Sequence, residues 1–178
     1  MLALLALLPV LALAPGWWEG RLLGPGDGAA LHYPLRVLVW ESWRRGELPA
    51  WNPSIFGGVP LLAGYQPGAL YPLMPLLALL GSSFAAFQVL VLASLSAAAM
   101  TTFLYLRRLG AEPAGAYLAG ICFALGPYLI GHLDDTPTLV AAPLLPLLLL
   151  AAESHMKRGS AARAAGVALA LALLLLAG

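Results

Sequence analysis

Long uncharged apolar runs dominate the second half of the chain and predict membrane-spanning helices. Three runs cover residues 84–106, 114–131 and 136–152, and a fourth covers residues 164–178. A helix needs about 20 mainly apolar residues to cross the hydrocarbon core of a bilayer. The prolines in the third run are compatible with a membrane helix when neighbouring groups satisfy the carbonyls that proline leaves free. These four runs therefore predict a helix bundle in a membrane.

The apolar N-terminal segment, residues 1–16, predicts a further membrane helix. No basic residue precedes the apolar run, and Pro15 follows a sequence, Ala12 to Ala14, that otherwise resembles a signal-peptidase site. Trp17 and Trp18 come next, and tryptophan is typical of the membrane interface. We therefore expect an uncleaved membrane anchor in preference to a cleaved signal peptide.

The apolar segment 69–80 is too short to cross a membrane comfortably. As a helix it would be roughly 18 Å long, against a hydrocarbon core of roughly 30 Å. It also contains Pro72 and Pro75. The pattern predicts a short re-entrant or interfacial helix.

The basic residues predict the topology. If segment 69–80 does not cross, the pairs Arg107-Arg108 and Lys157-Arg158 lie on the same side of the membrane. Basic residues in short loops favour the cytoplasmic side. The prediction is a cytoplasmic N-terminus and an extracytoplasmic loop over residues 17–67.

Within this loop, residues 34–45 predict an amphipathic helix at the membrane interface. One helical stripe is apolar and comprises Leu35, Leu38, Val39 and Trp43. Arg36, Arg44 and Arg45 lie mostly off that stripe. The helix is either a passive interfacial element, or its arginines contact a lipid phosphate, for which the forked guanidinium group is well suited.

Composition agrees with a membrane protein. The chain is 61% hydrophobic and 10% charged, with a mean hydropathy of +0.88, whereas soluble domains are about 25% charged. The net charge of +1 gives no reason to expect nucleic acid as a partner. Cys122 is the one cysteine and is predicted to be a small core residue. The expected fold class is an all-α integral membrane helix bundle.

Two motifs lie between residues 46 and 72. Gly46 to Pro53 reads GELPAWNP, Phe56 to Ala63 reads FGGVPLLA, and Gln66 and the pair Tyr71-Pro72 follow. Together they resemble the YfhO family of bacterial multi-pass membrane proteins. That family is similar to the C-type glycosyltransferases (GT-C), which take sugars from polyprenyl-phosphate carriers. Family members are several times longer, so we expect this chain to be an N-terminal part of a longer protein.

The resemblance implies a bacterial inner-membrane protein that transfers a sugar from a polyprenyl-phosphate donor to a cell-envelope acceptor. Such a reaction needs a general base or a carboxylate-held divalent metal, and the sequence leaves the two open. Asp27 is the candidate for that role, because the resemblance places an acid in the first outer loop. Asp134 and Asp135 are candidate helpers on the same side, although the family pattern favours neutral or single polar residues there.

Each acidic candidate also has a purely structural explanation. Asp27 lies in the turn Gly24-Pro-Gly-Asp-Gly28, and aspartate favours turns without any catalytic role. The pair Asp134-Asp135 precedes a helix start, with Thr136 as the expected N-cap and Pro137 as the first helical residue.

The substrate-binding candidates are polar or aromatic residues of the same predicted side. They are Arg36, Arg44, His132, Trp51, Asn52, Gln66 and Tyr71. Arg36 and Arg44 are expected to contact phosphate. His32 receives little weight, and membrane lipid is the expected surrounding partner.

Two other functions remain open, a transporter or flippase for lipid-linked sugars and a non-catalytic membrane protein. A charged residue at a helix centre would favour transport, and the four later apolar runs contain none. The enzyme is therefore preferred, whereas the sugar, the acceptor and the oligomeric state are left open.

Overall fold

The computed structural model describes residues 2–64 and 66–178, so Met1, where the first predicted helix begins, and Tyr65 lie outside it. The helices are α1 (Leu2–Trp18), a π-helical turn (Gly28–His32), α2 (Tyr33–Arg44), α3 (Leu73–Ala78), α4 (Ser83–Arg108), α5 (Pro113–Leu125), α6 (Pro127–Gly131), α7 (Thr136–Ala141), α8 (Leu144–Lys157) and α9 (Ala161–Leu176). Strands β1 (Trp51–Asn52) and β2 (Val59–Pro60) form a short antiparallel hairpin.

Within the described residues, three helical stretches are long and apolar enough to cross a membrane. They are Ser83–Arg108, Pro113–Gly131 and Thr136–Lys157. Two shorter apolar helices, Leu2–Trp18 and Ala161–Leu176, complete the apolar set. The structure is therefore that of a mainly helical membrane protein.

Helix α4 is the centre of the bundle. Phe87, Leu90 and Val91 on α4 are fully buried, and α1, α5 and α8 pack against this helix. Gly120 on α5 faces the backbone of α4 so closely that an added Cβ would lie 2.6 Å from the carbonyl oxygen of Ala99. Small residues permit such close helix contacts in membranes, where packing replaces the hydrophobic effect as the source of association.

Two of the predicted continuous helices are interrupted. Helix α5 ends at Leu125 and α6 begins at Pro127, while α7 ends at Ala141 and α8 begins at Leu144. Pro127 and Pro143 lack the N–H group that would continue the preceding helical ladder. Each apolar run therefore has a break within it that hydropathy alone does not reveal.

The segment after α1 is fixed to the N-terminal end of α4 by a buried glutamine. Gln88 accepts a hydrogen bond from the backbone N–H of Leu23 at 2.9 Å and donates one to the carbonyl oxygen of Arg21 at 2.7 Å. Gly24 lies against the ring of Phe87, because a Cβ added at Gly24 would come within 2.9 Å of a ring carbon of Phe87. These contacts hold residues 21–24 at this end of the bundle.

The short segment 69–80 contains α3 and lies beside α2. The indole N–H of Trp43 donates to the carbonyl oxygen of Ala69 at 3.2 Å, and Arg44 Nε donates to that of Ala78 at 3.0 Å. Both ends of the segment thus contact the C-terminal end of α2.

Three residue-level predictions differ from the structure. Arg36 was expected off the apolar stripe of its helix but is fully buried, because residues 36, 39 and 40 share one helical face and this face is the covered one. Cys122 was expected in the core but is exposed on α5. The N-cap before α7 is Asp135 and not Thr136, which is the first helical residue.

Candidate functional site

A cavity of about 450 Å³ lies where the segment after α1 meets the turn between α6 and α7. We call it the acidic cavity. It is lined by Asp27, Leu31, His32, Gln66, Gly131, His132, Asp134 and Asp135. The three aspartates predicted from the sequence therefore line one space, although more than one hundred residues of chain separate Asp27 from the other two.

Glycines allow the two segments to meet. A Cβ at Gly28 would lie 3.2 Å from Cα of Asp134, and Gly26 adopts a positive φ of 54° beside the same residue. A side chain at Gly28 would push Asp134 away, and a positive φ is strained for residues other than glycine. The glycine-rich turn around Asp27 therefore serves close backbone packing at the wall of the cavity.

His32 ends the π-helical turn that leads into α2 and is only 4% exposed. Its Nε2 atom lies 3.8 Å from Oδ1 of Asp135, which is an ion-pair distance and too long for a hydrogen bond. Its Nδ1 atom is buried and has no hydrogen-bond partner in the part of the chain that the structure describes. A single-turn π-helix is frequent at functional sites, and here it brings His32 to the cavity wall.

Asp135 is held in a defined orientation. Its Oδ2 atom accepts a hydrogen bond of 2.6 Å from the hydroxyl group of Thr138, which leaves Oδ1 facing His32. Asp135 also lines a neighbouring cavity of about 290 Å³ together with Gln66 and Pro137. The carboxylate of Asp135 therefore lies between the acidic cavity and the neighbouring cavity, beside the buried imidazole of His32.

Arg36 lies one helical turn after His32 and is completely buried. Its three guanidinium nitrogens have no hydrogen-bond partner among residues 2–64 and 66–178. Burial lowers the pKa of Arg36 to about 9, and the negative charge of Asp135 acts in the opposite direction. Because this pKa is still above neutral pH, Arg36 is a buried cation at pH 7.

The pKa of His32 is lowered from its ordinary value, first by burial and then by the positive charge of Arg36. The carboxylates of Asp135, Asp27 and Asp134 act against this shift. The imidazole is therefore mainly neutral at pH 7 and has an unprotonated ring nitrogen.

Only some of the predicted site residues line the acidic cavity. Asp27, Asp134, Asp135, His132 and Gln66 line it. His132 is further fixed by a contact of 2.7 Å between Nδ1 and the carbonyl oxygen of Tyr128, and its ring lies 4.4 Å from the Tyr128 ring.

The other predicted site residues lie elsewhere. Arg44 bonds to the carbonyl oxygen of Ala78 and, through Nη1, to the hydroxyl group of Ser83 at 3.1 Å. Trp51 and Asn52 belong to the hairpin, where the side chain of Asn52 is buried and accepts a hydrogen bond from the backbone of Ser54.

Tyr71, another predicted binding residue, precedes α3 and is partly buried, which raises the pKa of its hydroxyl group. Arg36 does not line the acidic cavity, but its positive charge lowers the pKa of His32, and the negative charge of Asp135 raises the pKa of Arg36. The phosphate contacts expected of Arg36 and Arg44 therefore stay a prediction.

His32 is the site residue to which sequence reasoning gave too little weight. The available signal was its position four residues before Arg36 and five after Asp27, in a segment that enters a predicted helix. Hydropathy does not show that such a residue points inward, because the face that carries His32 and Arg36 is polar there and only its packing shows that it is the covered one.

The side chains do not form an evident metal centre. Within the described chain, no three histidine, cysteine, aspartate or glutamate side chains are grouped so that they could hold one metal ion. The grouping of the described side chains does not fit a carboxylate-held divalent metal.

The structure thus combines helices that are long and apolar enough to cross a membrane with a polar, carboxylate-lined cavity. Comparisons with protein-family models, curated proteins and solved structures find no match to this chain.

Proposed function

We propose that this chain is part of a GT-C-like membrane glycosyltransferase of the bacterial inner membrane. It would transfer a sugar from a polyprenyl-phosphate donor to a cell-envelope acceptor. The resemblance of residues 46–72 to the YfhO family supports the donor class. The observation that carries the proposal is the convergence of three aspartates and two histidines on one cavity.

The lining of the cavity is suited to a sugar. Carboxylate and amide oxygens accept hydrogen bonds from hydroxyl groups, and Asp27, Asp134 and Gln66 supply them. Glycosyl transfer develops positive charge at the anomeric carbon, which nearby carboxylates stabilise. A volume of about 450 Å³ lies within the usual range of small-ligand sites.

A second cavity supports a lipid-linked donor. This apolar cavity has a volume of about 420 Å³ and lies between α2 and the hairpin. Its lining includes Tyr33, Leu35, Val37 and Ile55, and Leu31 lines both it and the acidic cavity. The sugar of such a donor would then lie in the acidic cavity, and the first units of its isoprenoid chain would lie in the apolar cavity.

A transfer assay tests the proposal. We expect membranes that contain the complete gene product to transfer label from a polyprenyl-phosphate sugar to cell-envelope material. Glucose, galactose and N-acetylglucosamine donors, each radiolabelled, would be supplied one at a time, with membranes from the gene deletion as the control. Label that exchanges across the membrane without covalent transfer would favour a flippase, and no effect of the gene would favour a non-catalytic protein.

The topology is tested by cysteine labelling in intact cells. With Cys122 replaced by alanine, single cysteines would be placed at the exposed positions Ser54 and Ser160. A membrane-impermeant thiol reagent should label position 54 and leave position 160 unlabelled, because basic residues near position 160 favour the cytoplasm. The reverse pattern would place the acidic cavity on the cytoplasmic side and contradict the proposed compartment.

A further inference from the structure

We propose that His32, paired with Asp135, is the proton acceptor of the acidic cavity. This inference rests on the proposed sugar transfer and assigns its base. The sequence favoured Asp27 for the role, but Asp27 is exposed, whereas His32 is buried at the cavity wall with a carboxylate 3.8 Å from Nε2.

The pair has the parts that a general base requires. A neutral imidazole can take a proton at neutral pH, and a nearby carboxylate stabilises the imidazolium that forms. The bond from Thr138 fixes Asp135, so its free oxygen faces the ring of His32. An acceptor hydroxyl group that enters the acidic cavity can therefore approach Nε2 beside Asp135.

The proton and electron movements balance within this arrangement. The acceptor O–H bond breaks and its proton passes to His32, while the oxygen forms a bond to the anomeric carbon. The bond from that carbon to the phosphate oxygen breaks, and its electron pair leaves with the polyprenyl phosphate. The imidazolium then releases its proton to water in the cavity, which restores the neutral base.

The charges around His32 predict how its titration responds to substitution. Arg36, one turn along, disfavours the imidazolium, and Asp135, Asp27 and Asp134 favour it. His132 lines the same cavity and is the other titratable group that faces this space in the described chain. Asp135→Asn should therefore lower the pKa of His32 further, because it removes the closest negative charge.

The first test is a nuclear magnetic resonance titration of the 178-residue chain in lipid nanodiscs with labelled histidine. The chain has three histidines, so three imidazole signals are expected, and His32→Gln assigns one of them. The His32 signal should titrate below pH 6.5 and move to lower pH in Asp135→Asn. A His32 pKa that Asp135→Asn leaves unchanged would overturn the pairing.

The second test is the transfer rate of the complete gene product. His32→Gln should lower it by about 10²- to 10⁴-fold, the usual range for loss of a general base. His155→Gln, on α8 and outside the cavity, is the matched control and should retain the wild-type rate. Because His32→Gln could disturb folding, Asp135→Asn supplies a second measurement. In the Asp135→Asn variant, the acid limb of the pH–rate profile should move to lower pH by the same amount as the pKa of His32.

The outcomes separate the two proposals. A wild-type rate in His32→Gln, or an unmoved acid limb in Asp135→Asn, overturns the role of His32 and leaves the transferase intact. Absence of transfer by the wild-type protein with every donor overturns the proposed function, and the base assignment with it.

Discussion

Replacement of Asp27 by asparagine should lower sugar transfer by about 10²- to 10³-fold, the usual loss when one electrostatic contact to the transition state is removed. Asp27 is exposed at the mouth of the acidic cavity and makes no ion pair in the part of the chain that the structure describes. Asparagine has the same shape and is well tolerated near turns, so expression and membrane insertion should be unchanged. The transfer assay in membranes measures the effect.

The matched control for this prediction is Glu19→Gln. Glu19 lies in the same segment, but it pairs with Arg21 at 2.6 Å on the surface and does not line the acidic cavity. The control should keep the wild-type rate. A wild-type rate in Asp27→Asn would remove Asp27 from the site and transfer its assigned role to Asp134 and Asp135, or support a non-catalytic protein.

Replacement of Arg36 by methionine should stabilise the protein against thermal unfolding. The expected gain in the free energy of unfolding is about 1–4 kcal/mol, the range for buried ionic groups replaced by apolar side chains of similar volume. Arg36 is fully buried and its guanidinium nitrogens have no partner among the described residues. A buried charge without hydrogen bonds destabilises the folded state, and methionine fills a similar space without that penalty. The unfolding midpoint of the purified chain in detergent measures the change.

Arg44→Met is the control for Arg36→Met, because Arg44 lies on the same helix but has two hydrogen-bond partners, Ala78 and Ser83. It should lower the midpoint, since each lost hydrogen bond removes about 1 kcal/mol. A lower midpoint for Arg36→Met would show that the buried charge has a compensating partner in the protein as isolated.

Arg36→Met should also raise the pKa of His32, because the positive charge that disfavours the imidazolium is removed. A gain in stability combined with an altered His32 titration would indicate that the buried cation acts on the cavity. Such groups are typical of sites where function opposes stability.

Hydropathy along the chain is enough to predict helices suited to a membrane and their approximate places. Apolar runs have a direct local cause, because every backbone group in a bilayer must be bonded within the helix and every side chain facing lipid must be apolar. The run at residues 84–106 thus corresponds to α4 (Ser83–Arg108) with little error. A proline within an apolar run can kink, break or leave intact a membrane helix, so the sequence did not predict the breaks at Gly126 and Pro143.

Which polar residues meet is visible only once the helices are packed. Asp27 and Asp135 are far apart in the chain, and their shared cavity depends on glycine contacts such as that of Gly28 with Asp134. His32 and Arg36 are likewise buried because they share the face of α2 that Val39 and Trp40 turn toward the bundle, and only the packing of α2 selects that face. A hydropathy pattern predicts that a charged residue lies at the surface, because burial of a charge is unfavourable. A charged residue that is buried despite this cost can therefore be found only in the packed structure.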